Sequence, residues 1–577
     1  MKMIFRYMRP YWRLILFGVI IKLFAAMTEL MVPYILEHLI DEVVPAGARR
    51  DIWLWGGLMI LCAVATWLGN IKANRTAVDN AHNISYDIRR DLFNKTIHLC
   101  GAKFDEFGLP SLTSRMTSDS YNVQNFVRAL QTLCIRAPIM LLGGILVTMT
   151  MDTVLSGILC AMVPVLLAVV ATISRKGIPL YRNVQSKLDD VIRSMRENIT
   201  GIRVVKALSK TEYEKKRFQS YNQAMTDADI RTSTLMAIPS PFMQLCLNIG
   251  LTLVVYVGAV RVNGGAMKPG VILAFLTYFN MVMQSIMAIN RMFMMVSKAS
   301  ASAGRIDQVL QSDPGLPVDR NAEGVTDDGF ICFDHVNFTY GATEDQAADR
   351  EQSLYDISFR LKKGESLGII GPSGCGKTTI LNLLMRFYDV DSGRITVDGR
   401  DVRSMEREAL CSRFGVVFQN DMVFMDTLRE NIAFGRDLTE EEIRQAAVEA
   451  QAAEFIDALD EGFDHMADIK GANLSGGQKQ RLLIARALAG NPEILILDDS
   501  SSALDYQTDA KLRKAVFTSH PDCTTIMVAQ RVSSIMGMTN ILVLDNGRCI
   551  GYGTHEKLLK TCPVYGEIYN AQMGAMV

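Results

Sequence analysis

The chain has 577 residues, too many for one hydrophobic core, so two or three domains are expected. Hydrophobic residues make up 49% and charged residues 21%, an average that conceals a strongly apolar first half and an ordinary soluble second half. A net charge of -1 leaves no basic surplus for nucleic acid, and the 11 scattered cysteines, without CxxC pairs or His/Cys clusters, argue against a disulfide framework or a zinc site.

Met1 to Pro10 carries Lys2, Arg6 and Arg9 among apolar residues and reads as a short amphipathic helix on the inner leaflet. Six segments then reach the roughly 20 apolar residues a spanning helix needs. They are 12–40, 52–74, 131–151, 154–175, 236–261 and 271–297. The first apolar run is too long for a signal peptide, and no small-residue cleavage site follows it. The connections 75–130 and 176–235 are rich in Lys and Arg, including Arg89, Arg90, Lys95, Lys215 and Lys216, whereas 41–51 and 262–270 are short and less basic. That asymmetry predicts a multi-pass protein of the cytoplasmic membrane with both termini and both long loops in the cytosol. Trp12, Trp53, Trp55 and Trp67 fall near the expected interfaces.

The long loops keep apolar residues at three-to-four spacing over Thr76–Leu99 and Asp189–Asn222. They are expected to prolong the flanking spans into the cytosol, with tips near Leu109–Met116 and Lys210–Lys216. Two helical hairpins resting on the membrane surface are the alternative. Lys22, Glu29 and Arg136 are charged groups within or beside spans, available to pair with one another or with a substrate. Spans five and six also carry Asn248, Asn280, Gln284 and Asn290, with Met281, Met283, Met287, Met292, Met294 and Met295. Flexible thioethers suit varied hydrophobic ligands, although packing filler and interhelical hydrogen bonds would use the same residues. The membrane domain is expected at 1–298 and a charged, turn-rich linker with Pro314, Gly315 and Pro317 at 299–326, leaving 327–577 for a soluble domain.

In that soluble part, Phe330–Tyr340 alternates like a half-buried strand, Ser366–Ile370 is an apolar strand, and Thr379–Met385 begins a helix. Between the last two lie Gly371, Pro372, Ser373, Gly374, Cys375, Gly376, Lys377 and Thr378, the pattern and context of a phosphate-binding loop. Its glycines let backbone N–H groups converge on a β-phosphate, Lys377 adds positive charge, and the Thr378 hydroxyl can ligate Mg²⁺. Glu493–Leu497 is an apolar strand ending in Asp498, a second candidate Mg²⁺ holder acting through water. Leu474, Ser475, Gly476, Gly477 and Gln478 precede it.

With these motifs the chain resembles the ATP-binding cassette transporters, and in particular half-transporters of the exporter fold. The resemblance covers nearly the whole chain and implies an α-helical six-span transmembrane domain followed by a cytosolic α/β P-loop ATPase domain. It implies ATP with Mg²⁺ at Gly371–Thr379, Tyr340 stacking on adenine, and Gln419, between Phe418 and Asn420, sensing Mg²⁺ and the membrane domain. Ser475–Gln478 would cap the γ-phosphate bound to a second subunit, and Ser502–Asp505 would communicate between the two sites.

Two positions depart from the family pattern. The catalytic Glu that normally follows the magnesium Asp is Asp499 here, and the switch His is Gln530 in the segment Val528–Arg531. One methylene fewer withdraws the carboxylate by roughly 1–1.5 Å from a water that must lie within about 2.6–3.2 Å. Gln530 donates hydrogen bonds but carries no titratable proton. A degenerate site beside an intact signature implies a heterodimer with a second half-transporter; a slow homodimer is the alternative. Ile469 replaces the Glu often found before the signature. The expected function is ATP-driven export of amphipathic or hydrophobic small molecules through a membrane whose lipids surround the chain. A dedicated peptide or lipid exporter, a metal-chelate importer of the same fold, and a sensor without transport are the alternatives.

Overall fold

The computed structural model describes residues 1–577 except 314, 321, 323–328, 342–351, 501–503 and 574–577. Its contacts divide into two units, 1–96 with 110–311, and 97–109 with 312–577.

The first unit is helical. A short helix, Lys2–Met8, leads into Trp12–His38, and the six expected spans fall on Trp12–His38, Arg49–Ile97, Leu133–Met151, Thr153–Thr200, Pro239–Asn263 and Pro269–Gln311. Five of the described helical segments are long and apolar enough to cross a membrane, and a shorter apolar stretch, Thr153–Val169, opens the helix Thr153–Thr200. Arg49–Ile97 has 49 residues, about 70 Å at 1.5 Å per residue, more than twice a bilayer core. Polar pairs stitch the helices. Arg136 donates to both Glu29 oxygens at 2.6 and 3.2 Å, while the buried Lys22 ammonium donates to Asn70 (2.6 Å) and Asn74 (3.2 Å). Of the three expected charges, Glu29 and Arg136 therefore pair and Lys22 takes amide partners. Asp41 accepts from the Gly270 and Val271 N–H groups at the start of Pro269–Gln311. That carboxylate satisfies orphan donors where the helix dipole favours negative charge.

Two boundaries differ from expectation. The linker expected from residue 299 is helical through Gln311. Ala299, Ala303 and Ile306 form a buried helical face, and Asp119 accepts hydrogen bonds from Ser302 and Arg305 at 2.8 Å. This packing overrides the turn-like composition. The loop tips also lie upstream of the expected positions. Gly101–Phe107 forms a short helix closed by Gly108 at φ 72°, and Ile202–Ala207 forms another between Gly201 and Ser209 at φ 52°. Residues 109–116, expected at a tip, are already helical again.

The second unit is an α/β domain. Its strands are β1 (Ile331–Phe338), β2 (Leu354–Leu361), β3 (Ser366–Ile370), β4 (Ser392–Val397), β5 (Arg400–Asp401), β6 (Phe414–Val417), β7 (Ile494–Asp498), β8 (Thr524–Val528), β9 (Asn540–Asp545) and β10 (Arg548–Gly553). Among the described residues they form one sheet in the order β5-β4-β1-β2-β10-β9-β3-β8-β7-β6. The stretch β9-β3-β8-β7-β6 is parallel, and every residue of β3, β7 and β8 is buried. Continuous apolar strands of this kind are covered on both faces. The register pairs Ile369 with Val528 and Val528 with Asp498, so β3, β8 and β7 end together at one edge. Residues following three strand ends therefore meet there, the usual place for a ligand in an open parallel sheet.

The helix Gly101–Phe107 packs within this unit rather than the first. The Gly101 N–H donates to the Phe387 carbonyl at 3.2 Å, and the Tyr388 hydroxyl donates to Asp105. A Cβ at Gly101 would sit 3.0 Å from that carbonyl, tight enough that the neighbouring backbone would have to shift by a few tenths of an ångström.

Candidate nucleotide site

β3 feeds into the loop Gly371–Gly376, and a helix begins at Lys377. The loop lies so close to its surroundings that a Cβ at Gly371 would meet the Leu544 carbonyl oxygen at 2.2 Å. Gly376 takes φ +100°, outside the range open to most side chains. This path aims the first N–H groups of helix Lys377–Leu384, which have no partner one turn back, at the space in front of the loop. The Lys377 ammonium folds over it, donating to the Gly371 (2.9 Å) and Pro372 (2.7 Å) carbonyls. The Cys375 thiol is buried, and that burial raises its pKa.

The carboxylates arrive from β7. Asp498, at the strand end, accepts from the Thr378 hydroxyl at 3.2 Å. Burial raises its pKa, while the Thr378 hydrogen bond and Lys377 act the other way. Asp499 leaves the strand at φ 49° and donates its N–H to Val528 at 3.0 Å. Its carboxylate accepts from the Gln530 side-chain amide at 2.8 Å. Burial raises this pKa too, against the Gln530 hydrogen bond. The two positions that depart from the family pattern are thus bonded to each other.

Tyr340 is half-buried, edge-on to Phe338 at 4.8 Å and to Tyr388 at 5.1 Å. Its hydroxyl donates to Thr379 and accepts from Asn382. Gln419, two residues beyond β6, is exposed at the cavity wall. Tyr340, Gly371–Gly374, Gly376–Thr379, Gln419, Asp498, Asp499 and Gln530 all line one cavity of about 900 Å³. Motif reading missed further lining from Tyr355, Asn546, Gly547, Ile568 and Gln572, among others. These come from a strand, a β9–β10 turn and the last described helix, none of which carries a motif.

Ser475–Gln478 do not line this cavity. They form the start of helix Gly476–Leu488, where the Ser475 hydroxyl and the Gln478 side chain cap each other's backbone N–H groups. Ser475 and Gly476 are exposed there. Of Ser502–Asp505, residues 502 and 503 lie outside the described residues; Asp505 caps helix Tyr506–Ser519 through the Thr508 N–H at 2.9 Å.

Comparison with known proteins agrees with this architecture. Residues 15–286 match the model of the ABC transporter transmembrane region, and residues 354–502 match the ABC transporter model. Over 98% of both chains, the sequence is 35% identical to the "Uncharacterized ABC transporter ATP-binding protein YfiB" of Bacillus subtilis (strain 168). The chain belongs to the ABC transporter family. An ATP-dependent lipid A-core flippase of Desulfotalea psychrophila is also 35% identical, over 68% of each chain. A bacterial Atm1-family ABC exporter solved with ATP bound superimposes with a TM-score of 0.80 at 25% identity, covering 97% of this chain and 99% of the other. A membrane region followed by one cassette makes this ABC transporter an exporter-fold half-transporter and a multi-pass membrane protein.

The cassette of this ABC transporter binds ATP, and the cavity provides its parts: converging N–H groups, an ammonium and an aromatic wall. Thr378, Asp498 and the Gln419 side-chain carbonyl are hard oxygen donors, the set a Mg²⁺ ion accompanying nucleotide phosphates prefers. The hydroxyl-to-carboxylate distance of 3.2 Å keeps two of them adjacent. The donor set therefore fits the ion.

Proposed function

We propose that this chain is one half of a heterodimeric, ATP-driven exporter of amphipathic or hydrophobic small molecules, and that its own site hydrolyses ATP slowly. The observation that carries this reading is the 2.8 Å hydrogen bond from Gln530 to Asp499. A general base must reach the attacking water, and a shortened carboxylate already held by the neighbouring amide is poorly placed to do so. In this reading Lys377 and the loop N–H groups hold the phosphates, while Thr378, Asp498 and Gln419 hold Mg²⁺, which would neutralise developing phosphate charge. Tyr340 receives the adenine, and Gln530 contacts the γ-phosphate end without acting as an acid or base.

Exposed surfaces support a second subunit. The signature Ser475–Gln478 does not line its own chain's cavity and Ser475 and Gly476 are exposed, which leaves it available to another chain's nucleotide. The tip Gly201–Lys210 leaves Val204 61% and Leu208 64% exposed, and the cassette leaves Met425 66% and Ile469 66% exposed. Apolar side chains at such sites outside the spans suit a protein interface. The partner is assigned as different rather than identical, because two copies would carry two slow sites.

The substrate class rests on helix Pro269–Gln311. Asn280, Gln284, Met287, Arg291 and Met294 are exposed at alternating steps of four and three, one stripe of mixed polar and thioether character. Such a stripe suits amphipathic molecules; the side chain of Asn290 is not described. A lipid-like cargo lies within this class, in keeping with a relative named as a lipid A-core flippase. Both termini and the long helix extensions are placed in the cytosol by their basic residues. ATP would close paired cassettes, opening the cavity outward, and hydrolysis at the partner's site would reset it. Inverted vesicles carrying both subunits test the reading: ATP-dependent accumulation of an amphipathic dye supports export. Uptake by right-side-out vesicles, or ligand-sensitive hydrolysis without flux, would refute it.

A further inference from the structure

We infer that Gln572, on the last described helix, is a positioning residue for the switch segment and thereby controls how tightly this site retains the γ-phosphate end of its nucleotide. The inference rests on the reading of the cavity as an ATP site. Helix Pro563–Met573 is anchored by Tyr565, fully buried and hydrogen-bonded to His555 at 2.7 Å. Two turns further along, the Gln572 side chain bridges the backbone on both sides of Arg531. Its amide donates to the Gln530 carbonyl at 2.8 Å, and its carbonyl accepts from the Val532 N–H at 2.7 Å. A carboxamide carries a donor and an acceptor on one plane, which lets Gln572 satisfy a carbonyl and an N–H two residues apart.

The bridge continues into the site. Gln530 passes from its tethered backbone to Asp499 through its own side chain, and Asp499 adjoins Asp498 and Thr378. Gln572, Gln530 and Asp499 all line the nucleotide cavity. With the backbone of Gln530 held, its side-chain amide stays on Asp499, beside the Asp498–Thr378 pair, the end expected to receive the terminal phosphate. Without the bridge, the backbone of 529–532 is still tied at its ends, by Ala529 N–H to the Ile369 carbonyl at 3.1 Å and by Ser534 N–H to the Arg531 carbonyl at 3.2 Å, but the Gln530 carbonyl and the Val532 N–H lose the partner that fixes them. Motif reading does not find this residue, since it lies more than forty positions beyond the segment it holds.

The test compares release of fluorescent Mg-ATP and Mg-ADP from the full chain in lipid nanodiscs. Gln572→Ala should speed ATP release about tenfold, the effect of losing two ordinary hydrogen bonds, and ADP release less than twofold. Gln572→Glu keeps the acceptor for Val532 while losing the donor, and should fall between wild type and Ala. In a Gln530→Ala background, Gln572→Ala should have no further effect on ATP release. Equal acceleration of both nucleotides, or full additivity with Gln530→Ala, would show general loosening and overturn the inference. Saturable Mg-ATP binding by the wild type, abolished by Lys377→Ala, checks the cavity separately. Its absence would remove the nucleotide site and this inference together, whereas intact binding with unselective effects removes the inference alone.

Discussion

If the site is slow as proposed, replacing Asp499 with Glu and Gln530 with His together should make it fast. Glu extends the carboxylate by roughly 1–1.5 Å, one carbon–carbon step along the chain. In the proposed reading, that is the distance by which Asp499 falls short of a water needing a base within about 2.6–3.2 Å. Reach alone is insufficient, because Gln530 holds the carboxylate at 2.8 Å. A hydrogen bond to a charged, half-buried acceptor contributes about 1.5 kcal/mol, close to a tenfold population difference. Asp499→Glu alone should therefore raise phosphate release by no more than about tenfold. Releasing the amide as well should expose the full effect of a positioned base, at least about 100-fold. The assay is steady-state phosphate release by the purified full chain in nanodiscs at saturating Mg-ATP, with equilibrium ATP affinity measured in parallel and expected to change less than about threefold. A wild-type chain releasing phosphate as fast as the double variant would refute the reasoning, as would a double variant gaining less than about threefold.

Gly371→Ala should weaken ATP binding more than tenfold and lower cassette stability by about 1–3 kcal/mol, since its Cβ would lie 2.2 Å from the Leu544 carbonyl; nucleotide titration and thermal unfolding read the two effects. Glu29→Ala should destabilise the membrane unit by about 1–3 kcal/mol by leaving Arg136 without its carboxylate, and Glu29→Arg with Arg136→Glu should recover at least half of that in a lipid-phase unfolding assay. Asp41→Ala should cost about 1–2 kcal/mol in the same assay, because the Gly270 and Val271 N–H groups lose their cap, whereas Asp41→Asn should cost less. Burial pushes the Cys523 thiol up to about 11, so at pH 8 only about one molecule in a thousand is thiolate; a thiol reagent should leave it unlabelled until the cassette is unfolded.

The fold was legible wherever a local pattern coincided with the final environment. β3, the glycine loop and the following helix were readable because a fully buried parallel strand is continuously apolar and the loop needs glycine at Gly371 and Gly376. The spans were readable from length and hydropathy alone. Errors fell where tertiary packing outweighs composition. Residues 299–311 open the stretch expected as a charged, turn-rich linker, yet Ala299, Ala303 and Ile306 bury one helical face and Asp119 secures Arg305. The first loop tip departs from its expected position because the turn at Gly101 and the helix after it are held by contacts of Gly101 and Asp105 with Phe387 and Tyr388, far along the chain. In the site, the motif residues were found and the partners were not. Nothing in the sequence ties Gln572 to Gln530, or Gln530 to Asp499, because hydrogen bonds between distant segments leave no local signature.

The separation of two surfaces on one cassette gives the proposed asymmetry its logic. The phosphate loop, Asp499 and Gln530 share a single cavity, while Ser475–Gln478 cap a helix whose exposed N-terminal end does not line it. Changes at Asp499 and Gln530 therefore leave the signature geometry untouched: the Ser475 and Gln478 side chains satisfy each other's backbone groups whatever happens at β7. A chain built this way can lose its own base and still complete a fast site on a different subunit. Paired with itself it would present two intact signatures to two slow cavities. Transport by the chain expressed alone should then be weak at any ATP concentration, and it should rise on adding the second subunit rather than on adding more of the first.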